Sequence, residues 1–270
     1  MGLVQRIGNA LGSRTRLGRR VRASREWSLN RWYGNAGLPR TVNGIRLRVL
    51  PRYRWYFQPE YDAPVAAYLR RRVRPGMTCV SIGANLGMYP LQLAAWSGPK
   101  GIIYAFEPNP VTVEALFAHV RMNDLAERVR IVPVALGDRS GTATFYATGV
   151  DGMSRLGNPN PALRETVPIQ VSIETLDNFF AREQVSPDVL VADVEGFEAA
   201  VLRGGRGLFR SATPPITVVE MHPSAWVDTG IDRDRFAAIL DELRLRIVPL
   251  SGQVDPMAEY GHVALEPTSG

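Results

Sequence analysis

The sequence predicts an α/β fold with a mostly parallel sheet flanked by helices, and three observations predict it. From residue 78 onward, short apolar runs of strand length alternate with segments of helical periodicity, which is the pattern of βαβ units. The first of these runs leads into a glycine-rich turn at 83–87, behind which a helix opens. The last two apolar runs, 245–250 and 262–265, are joined without a helix, which predicts a final antiparallel strand pair.

Three parts are expected along the 270-residue chain: a basic arm at 1–34, a hairpin and helix at 35–75, and the main domain at 76–270. In the second part, Asn43-Gly44 separates two β-rich runs. This dipeptide favours a two-residue hairpin turn because both residues tolerate positive φ. A helical pattern over 60–73 follows, and Pro75-Gly76 terminates it.

The main domain is expected to hold seven strands in one sheet, helices between them, and two additional strands around a Gly/Pro/Asn-rich loop at 149–161. The seven are 78–82, 102–106, 129–135, 188–192, 216–221, 245–250 and 262–265, and the additional two are 141–146 and 167–173. Helices are expected at 86–97, from Pro110 onward and at 231–243, with Asn109 as the cap of the second. The buried stripe of that helix is predicted to be Val113, Leu116, Phe117 and Val120.

Composition excludes several classes of protein. Apolar residues make up 45% of the chain and charged residues 21%, as in globular domains, and no apolar run is long enough to span a membrane. The single cysteine, Cys79, excludes an internal disulfide framework and predicts a reducing, cytoplasmic setting.

Positive charge is concentrated near the N-terminus. Residues 1–74 hold 17 Arg and three acids for a net charge of +14, whereas the rest of the chain has a net charge of −8. Residues 1–31 alone carry +7, and four apolar residues there have helical spacing: Leu3, Val4, Ile7 and Leu11. Such an arm either attaches peripherally to an anionic surface, such as the inner face of a membrane or a phosphorylated glycan, or is a solvated or packed helix. A nucleic-acid partner is not favoured.

The turn from Gly83 to Gly87 is the most informative functional signal. Its glycines let the backbone approach a ligand closely, and Glu107, at the end of the next strand, can accept both hydroxyl hydrogens of a ribose. A dinucleotide fingerprint needs a second glycine where this chain has Asn85. The Asn amide suits a ligand with an amino-acid part, so the pattern favours S-adenosylmethionine over NAD.

Further motifs follow this turn in a fixed order. They are Tyr104-Ala105-Phe106-Glu107-Pro108-Asn109-Pro110, Ala135-Leu136-Gly137-Asp138, Thr175-Leu176-Asp177, Asp193-Val194-Glu195-Gly196 and Glu220-Met221-His222-Pro223. Over roughly residues 75–225 the chain resembles the FkbM-family methyltransferases. The resemblance implies a class I Rossmann-like methyltransferase fold, S-adenosylmethionine as cofactor, and O-methylation of a hydroxyl on a carbohydrate or glycosylated secondary metabolite.

The expected cofactor site combines this resemblance with the position of strand ends. Gly83, Ala84, Asn85 and Gly87 would lie at the methionine side, Glu107 at the ribose, and Leu136 with Asp138 at the adenine edge. Ser81, Pro108, Asn109 and Asp193 complete the set.

The chain departs from the family pattern at two positions. Ser81 stands where the family usually has Asp, and Val191 stands where it usually has Lys. Because both changes remove charge near the expected site, a non-catalytic module that still binds the cofactor is a second hypothesis. An NAD-dependent oxidoreductase is a third, disfavoured by Asn85 and by the final strand pair.

Four titratable residues follow neighbouring strands: Asp193, Glu195, Glu220 and His222. Residues two apart in an extended segment point to the same side, so these groups are expected to converge at one edge of the sheet. Removing a proton from a sugar hydroxyl needs a base. His222 is the first candidate because its ordinary pKa is near neutrality, and Glu195 is the second because neighbouring carboxylates should raise its pKa. Glu220 completes the catalytic set. The plainer alternatives are a structural His222, an Asp193 that binds cofactor, and a Glu195 that caps a helix.

The same four residues could hold Mg²⁺ or Mn²⁺, but the sequence has no tight ligand spacing, so a metal is not favoured. His119 and His262 are expected to be structural or exposed. The loop residues 151–155 could close over a substrate or be merely solvated.

Overall fold

The computed structural model describes residues 24, 28–29, 31–150, 152–158 and 166–268. The predicted amphipathic helix of the arm, from Leu3 to Leu11, lies outside the described residues, as do Asp151 and part of the 149–161 loop. The chain divides into two compact units, Met1–Tyr61 and Asp62–Gly270. The three-part organisation expected from the sequence stays a prediction.

The first unit contains the predicted hairpin. Strands β1 (Leu38–Val42) and β2 (Ile45–Val49) pair antiparallel, with Val42 opposite Ile45. Asn43 and Gly44 form the turn with φ angles of 47° and 81°, which is the left-handed backbone that this dipeptide favours. The Asn43 side chain also donates to the Tyr61 carbonyl at 2.6 Å, which fixes the end of the segment that follows.

The second unit is built on a seven-stranded sheet, as predicted. Its spatial order is β12 (Leu245–Pro249), β13 (Gly261–Pro267), β11 (Ile216–Met221), β10 (Val189–Ala192), β3 (Thr78–Ile82), β4 (Ile102–Phe106) and β5 (Val129–Val132). Strand β13 runs antiparallel to both of its neighbours, and the pairs from β11 to β5 are parallel. This topology is the class I Rossmann-like methyltransferase fold, and it places the carboxyl ends of β3, β4, β10 and β11 along one edge.

Helices flank this sheet. They are α1 (Ala63–Arg72), α2 (Met88–Trp96), α3 (Pro110–Met122), α4 (Leu176–Glu183), α5 (Glu198–Gly204), α6 (Arg206–Phe209) and α7 (Arg233–Leu243). Short 3₁₀ segments lie at Gly34–Ala36 and Pro51–Tyr53 in the first unit and at Pro223–Thr229 in the second. Asn109 caps α3 as predicted, since its side chain accepts from the Val111 amide at 3.1 Å. Phe117 was wrongly placed in the buried stripe of α3. Its side chain is 48% exposed, and Ala115 and His119 are buried instead.

A smaller four-stranded sheet contains the two predicted additional strands. Its order is β6 (Ala135–Leu136), β9 (Val167–Glu174), β7 (Gly141–Ala147) and β8 (Arg155–Leu156). The single strand predicted at 129–135 is therefore wrong, because the chain leaves the main sheet after Val132 and enters the small sheet at Ala135. Pro133 lies between them, and a proline has no amide hydrogen to donate to a ladder.

A hydrophobic core of the main domain lies between the large sheet and helices α4 to α7, of which α4 and α6 were not predicted from the sequence. Tyr104 and Phe106 of β4 pack edge-on against Phe179 and Phe180 of α4, with ring centroids 4.8–6.3 Å apart. This packing fixes the carboxyl end of β4, where the polar residues of the site begin. Within the described part of the chain, no helix has the length and apolar character needed to cross a bilayer.

Candidate active site

A cavity opens at the carboxyl ends of β3, β4 and β10, where an open parallel sheet binds its ligands. Its empty volume is about 640 Å³, including the open mouth. Polar groups line one side, among them Asn85, Glu107, Asp193 and Glu195. Apolar side chains line the other, including Val134, Leu136, Phe145, Leu156 and Phe197.

The turn after β3 is shaped by two glycines. Gly83 has a φ of 74°, and a Cβ atom there would lie 1.8 Å from the carbonyl oxygen of Asp193. Gly87 has a φ of 95°, and a Cβ there would meet Leu116 of α3 at 2.7 Å. Only glycine fits both positions, which is why the turn can pass close to the neighbouring strand end.

Glu107 holds the turn against the start of α3. Its buried carboxylate accepts the amide hydrogens of Asn85 and Asn109, each at 2.8 Å and each on a different oxygen. Burial raises the pKa of Glu107, and the two backbone hydrogen bonds and Thr112 oppose this rise. Because each carboxylate oxygen can accept two hydrogen bonds, Glu107 keeps acceptor capacity for a ligand hydroxyl.

Among the buried polar atoms without a hydrogen-bond partner in the described part of the chain are Ser81 Oγ, Asn85 Oδ1 and Asp193 Oδ1. Asn85 and Asp193 line the cavity, whereas Ser81 lies inside β3 and is only 1% exposed. Burial raises the pKa of Asp193 well above its ordinary value, and the negative charges of Glu220 and Glu195 raise it further. A buried acceptor without a donor is costly, so this end of the cavity suits a ligand that brings N–H groups.

The other predicted cofactor residues divide into two groups. Pro108, Asn109 and Leu136 line the cavity. Ala84 and Gly87 shape the turn but do not reach the lining that the described residues form. Asp138 also lies outside that lining, and it pairs instead with Arg203 at 3.3 Å.

The predicted catalytic residues come together beside the cavity. Glu195 follows β10 in a left-handed conformation, with a φ of 51°, and its side chain lines the cavity. His222 follows β11 and is buried, with Nε2 3.7 Å from Glu195 Oε2 and Nδ1 2.9 Å from Glu198 Oε1. The start of α5 has no side-chain cap, so Glu195 does not cap this helix in the described structure.

The protonation of this pair differs from the sequence expectation. Burial alone would lower the pKa of His222, but the hydrogen bond from Nδ1 to Glu198 and the charges of Glu198, Glu195 and Glu220 raise it to about 9. The pKa of Glu195 is raised as predicted. Burial is the main cause, the nearby His222 lowers the pKa, and Glu220 and Glu198 raise it. The imidazole is therefore charged at neutral pH.

Glu220 lies among further hydrogen-bonding groups. The Tyr260 hydroxyl donates to its carboxylate, and His262 Nε2 lies 3.7 Å from its other oxygen. The negative charge of Glu220 also raises the pKa of Asp193, so Glu220 acts on the cavity through that neighbour. His262 is buried in β13, and His119 is buried with Nδ1 2.8 Å from the Leu86 carbonyl, as expected for structural histidines.

Potential ligand atoms of Asp193, Glu195 and His222 lie within 4.8 Å of one another. The proton that His222 holds up to about pH 9 would have to be displaced by a cation.

Two residues of the site were missed from the sequence. Arg155 lines the cavity from β8 and forms an ion pair with Asp228 at 2.8 Å. Glu198 was not singled out, although an acid three residues after Glu195 at the start of a helix was a visible signal. Gly152 and Ser154 of the 151–155 loop also line the cavity, and closure of this loop over a substrate stays a prediction.

Comparison with known proteins agrees with this geometry. A family model described as the methyltransferase FkbM domain matches residues 81–247, more than half of the chain. The 2-O-methyltransferase NoeI of Sinorhizobium fredii is 28% identical over 150 residues, covering 49% of this chain and 59% of NoeI. The hexuronic acid methyltransferase AglP of Haloferax volcanii is 25% identical over 170 residues, covering 61% of each chain.

A third relative, the 31-O-demethyl-FK506 methyltransferase FkbM of Streptomyces tacrolimicus, is 38% identical over 106 residues, covering 36% of this chain and 37% of that one. The matches thus span less than two thirds of these relatives. The family match, the strand order and the position of the cavity lead to one conclusion: the chain belongs to the FkbM methyltransferase family.

Proposed function

We propose that this protein is an S-adenosylmethionine-dependent O-methyltransferase that acts on a hydroxyl of a carbohydrate or glycosylated secondary metabolite. The observation that carries the proposal is one cavity with unpartnered buried acceptors at Asn85 and Asp193, and with Glu195 beside His222 along the same strand edge. Family membership and the names of the relatives support it. The family match argues against an NAD-dependent oxidoreductase, because the matching family is one of methyltransferases.

The cavity fits S-adenosylmethionine, which supplies a methyl group on a positively charged sulfur when bound. The ammonium group of its methionine part would find acceptors in Asn85 and Asp193. A cation there would also favour the ionised form of Asp193 and offset its repulsion from Glu220. Glu107 would receive the ribose hydroxyls, and the apolar wall at Leu136 would pack against the adenine.

Glu195 is proposed as the base. The acceptor hydroxyl must release a proton as its oxygen takes the methyl group, and Glu195 lines the cavity with a pKa raised by burial. His222 holds its own proton up to about pH 9, so it is a poor base at neutral pH. It is proposed instead as the charged partner that keeps Glu195 ionised between turnovers. Glu220 is proposed to act through Asp193, whose pKa its negative charge raises.

The substrate class is inferred from chemistry and from the relatives. AglP is named for a hexuronic acid and FkbM for a hydroxyl of FK506. The acceptors named for these two relatives differ, which favours an acceptor set by the cavity mouth rather than by the shared core. A ring hydroxyl of a sugar or a sugar-bearing metabolite is the acceptor proposed here.

The experiment uses the full chain with S-adenosylmethionine carrying a ¹³C-labelled methyl group. The acceptors are neutral sugars, hexuronic acids and macrolide alcohols, and new O-methyl signals are followed by NMR. We expect transfer to oxygen in at least one class, unchanged by a chelator. Tight S-adenosylhomocysteine binding without transfer to any acceptor would support the non-catalytic module. Activity lost with chelator and restored by Mg²⁺ would require a metal.

The basic arm is proposed to attach the enzyme to an anionic surface. Residues 1–31 carry a net charge of +7, and each basic residue near an anionic membrane contributes about 1 kcal/mol. Co-sedimentation with anionic and neutral vesicles should show salt-sensitive binding of the full chain to the anionic ones only. A variant lacking residues 1–31 should lose it. Equal vesicle binding by the full chain and by the variant lacking residues 1–31 would contradict attachment through the arm.

A further inference from the structure

Glu198 is the most enclosed carboxylate near the site, since its side chain is 0% exposed. It is the first residue of α5 and accepts three hydrogen bonds. Its Oε1 faces the amide of Gly196 and Nδ1 of His222, both at 2.9 Å, and its Oε2 accepts from Nε1 of Trp226 at 2.8 Å. Burying a carboxylate is tolerated only when such donors surround it.

The three donors belong to the two segments that carry the proposed catalytic pair. Gly196 follows Glu195 in the turn after β10, whereas His222 and Trp226 belong to the segment after β11. These segments touch: a Cβ atom at Gly196, which has a φ of 104°, would lie 2.7 Å from that of Ala225. Glu198 thus bonds to both segments where they meet.

One of the donors is itself rigidly held. Trp226 is 2% exposed and stacks on Phe236 of α7, with ring centroids 4.3 Å apart and planes 9° apart. Oε2 of Glu198 is therefore anchored to the core. Oε1 is left to face Gly196 and the imidazole.

We propose that Glu198 is a positioning residue for methyl transfer, which holds the His222 ring by Nδ1 so that Nε2 faces Glu195. This rests on the proposed function only for the role of Glu195. A carboxylate cannot donate, so Nδ1 must carry the hydrogen in this bond. The ring then has one orientation, and its other nitrogen lies 3.7 Å from the Glu195 carboxylate.

The charged groups around His222 leave Glu198 as the one that sets this orientation. Glu195 lies at 3.7 Å on the other ring nitrogen, Glu220 acts through its charge, and the Tyr260 ring packs edge-on with centroids 5.3 Å apart. Of these described neighbours, only Glu198 lies within hydrogen-bonding distance of a ring nitrogen.

The test compares wild type with Glu198→Gln and Trp226→Phe. Gln has the same shape, but its amide group must turn N–H toward either His222 or Trp226, so one donor faces another. Phe at position 226 removes the third hydrogen bond and leaves the His222 bond intact. The chain has three histidines, so the imidazole resonances can be assigned with His222→Gln and read without any substrate.

We expect the hydrogen-bonded Nδ1–H resonance of His222 to disappear or move strongly in Glu198→Gln and to persist in Trp226→Phe. We also expect kcat to fall about 10–100-fold in Glu198→Gln with little change in KM or in S-adenosylhomocysteine affinity. Glu198→Asp keeps the charge, but its shorter side chain places the oxygens farther from His222, so it should retain more of kcat than Glu198→Gln. It also replaces the Gln variant in the test if that variant does not fold.

An unchanged His222 resonance in a folded Glu198 variant, or loss of stability with full kcat, would overturn the positioning role. Because the resonance is read in the protein alone, a wild type that transfers no methyl group would count against the proposed function and not against this hydrogen bond.

Discussion

The two ends of the cavity use polar groups in opposite ways. At the cofactor end, the 83–87 turn with Glu107, backbone amides satisfy the carboxylate while the side-chain oxygens of Asn85 and Asp193 are left without partners. At the reaction end, His222 and Trp226 donate hydrogen bonds to Glu198, and the Glu195 carboxylate lies 3.7 Å from the other nitrogen of His222. The first end thus has acceptors that a ligand could use. At the second end, Glu198 and His222 are already paired in the free protein.

Substitutions at the first end should therefore affect binding, whereas substitutions at the second should affect chemistry. Replacing Asn85, whose side-chain oxygen has no partner among the described residues, should weaken ligand binding and change the free protein little, whereas replacing Glu107 also removes two hydrogen bonds to backbone amides. Removing a member of the charged network should change protonation, stability and turnover, because its partners are then left buried without compensation.

The largest expected effect is on turnover. Glu195→Gln keeps the shape of the side chain but cannot take a proton, so kcat should fall by about 10²–10⁴-fold while S-adenosylhomocysteine affinity stays nearly constant. Steady-state kinetics and calorimetry measure the two quantities. If kcat is unaffected, another group is the base, and His222 in its neutral form above pH 9 becomes the next candidate.

The next effect concerns the two departures from the family pattern. Ser81 and Val191 are direct register partners on β3 and β10, and both are buried. The Asp and the Lys that the family usually has at these positions would be neighbours across the two strands. Because this chain replaces both with uncharged residues, neither charge is left buried without a partner. Ser81→Asp alone should lower the free energy of unfolding by about 3–5 kcal/mol, because a buried charge without a partner is costly.

Adding Val191→Lys to Ser81→Asp should then restore part of that loss. Urea unfolding of both single variants and the double variant gives the coupling between the two positions. Strict additivity of the two single effects would mean that the positions are independent and that the departures need separate explanations.

A smaller effect is expected from pH. His222 has a pKa of about 9 in the folded protein and about 6.5 when unfolded, so its contribution is fully present below pH 6.5 and is lost as pH rises through 9. At 1.36 kcal/mol per pH unit, this corresponds to roughly 3 kcal/mol. Raised pKa values at Asp193 and Glu195 act in the same direction.

The pH effect can be isolated by subtraction. The stability difference between wild type and His222→Gln, measured by urea unfolding from pH 6 to pH 9.5, should shrink as pH rises. A difference that stays constant over this range would mean that folding does not raise the pKa of His222.

The same contrast explains what the sequence could predict. The cofactor end is carried by short contiguous motifs, so the strand, the turn and Glu107 were found with correct bounds for β3 and β4. The reaction end depends on contacts such as Glu198 to Trp226, 28 residues apart, which periodicity does not reveal. Strands β6 and β8 of the small sheet were not predicted for a related reason. Each is two residues long and forms only by pairing with a strand that is distant in sequence.

The sequence predicted the direction of the pKa shift of Glu195 from its neighbouring carboxylates, although burial is the main cause in the structure. The rise in the pKa of Glu195 was expected, but the charged state of His222 depends on the hydrogen bond to Glu198, which was not singled out. Asp138 shows the reverse case, since its motif position suggested the adenine edge while an available Arg203 pairs with it outside the cavity.

The measurement that tests the account most directly is calorimetric binding of S-adenosylhomocysteine to wild type, Glu107→Ala and Glu195→Gln. We expect S-adenosylhomocysteine to bind wild type and NAD to show no measurable heat of binding. Affinity should weaken by about 1.5–3 kcal/mol per lost hydrogen bond in Glu107→Ala, roughly 10–150-fold, and stay unchanged in Glu195→Gln. Equal affinity in Glu107→Ala, or an equal loss in both variants, would contradict the separation of the cavity into a binding end and a reaction end.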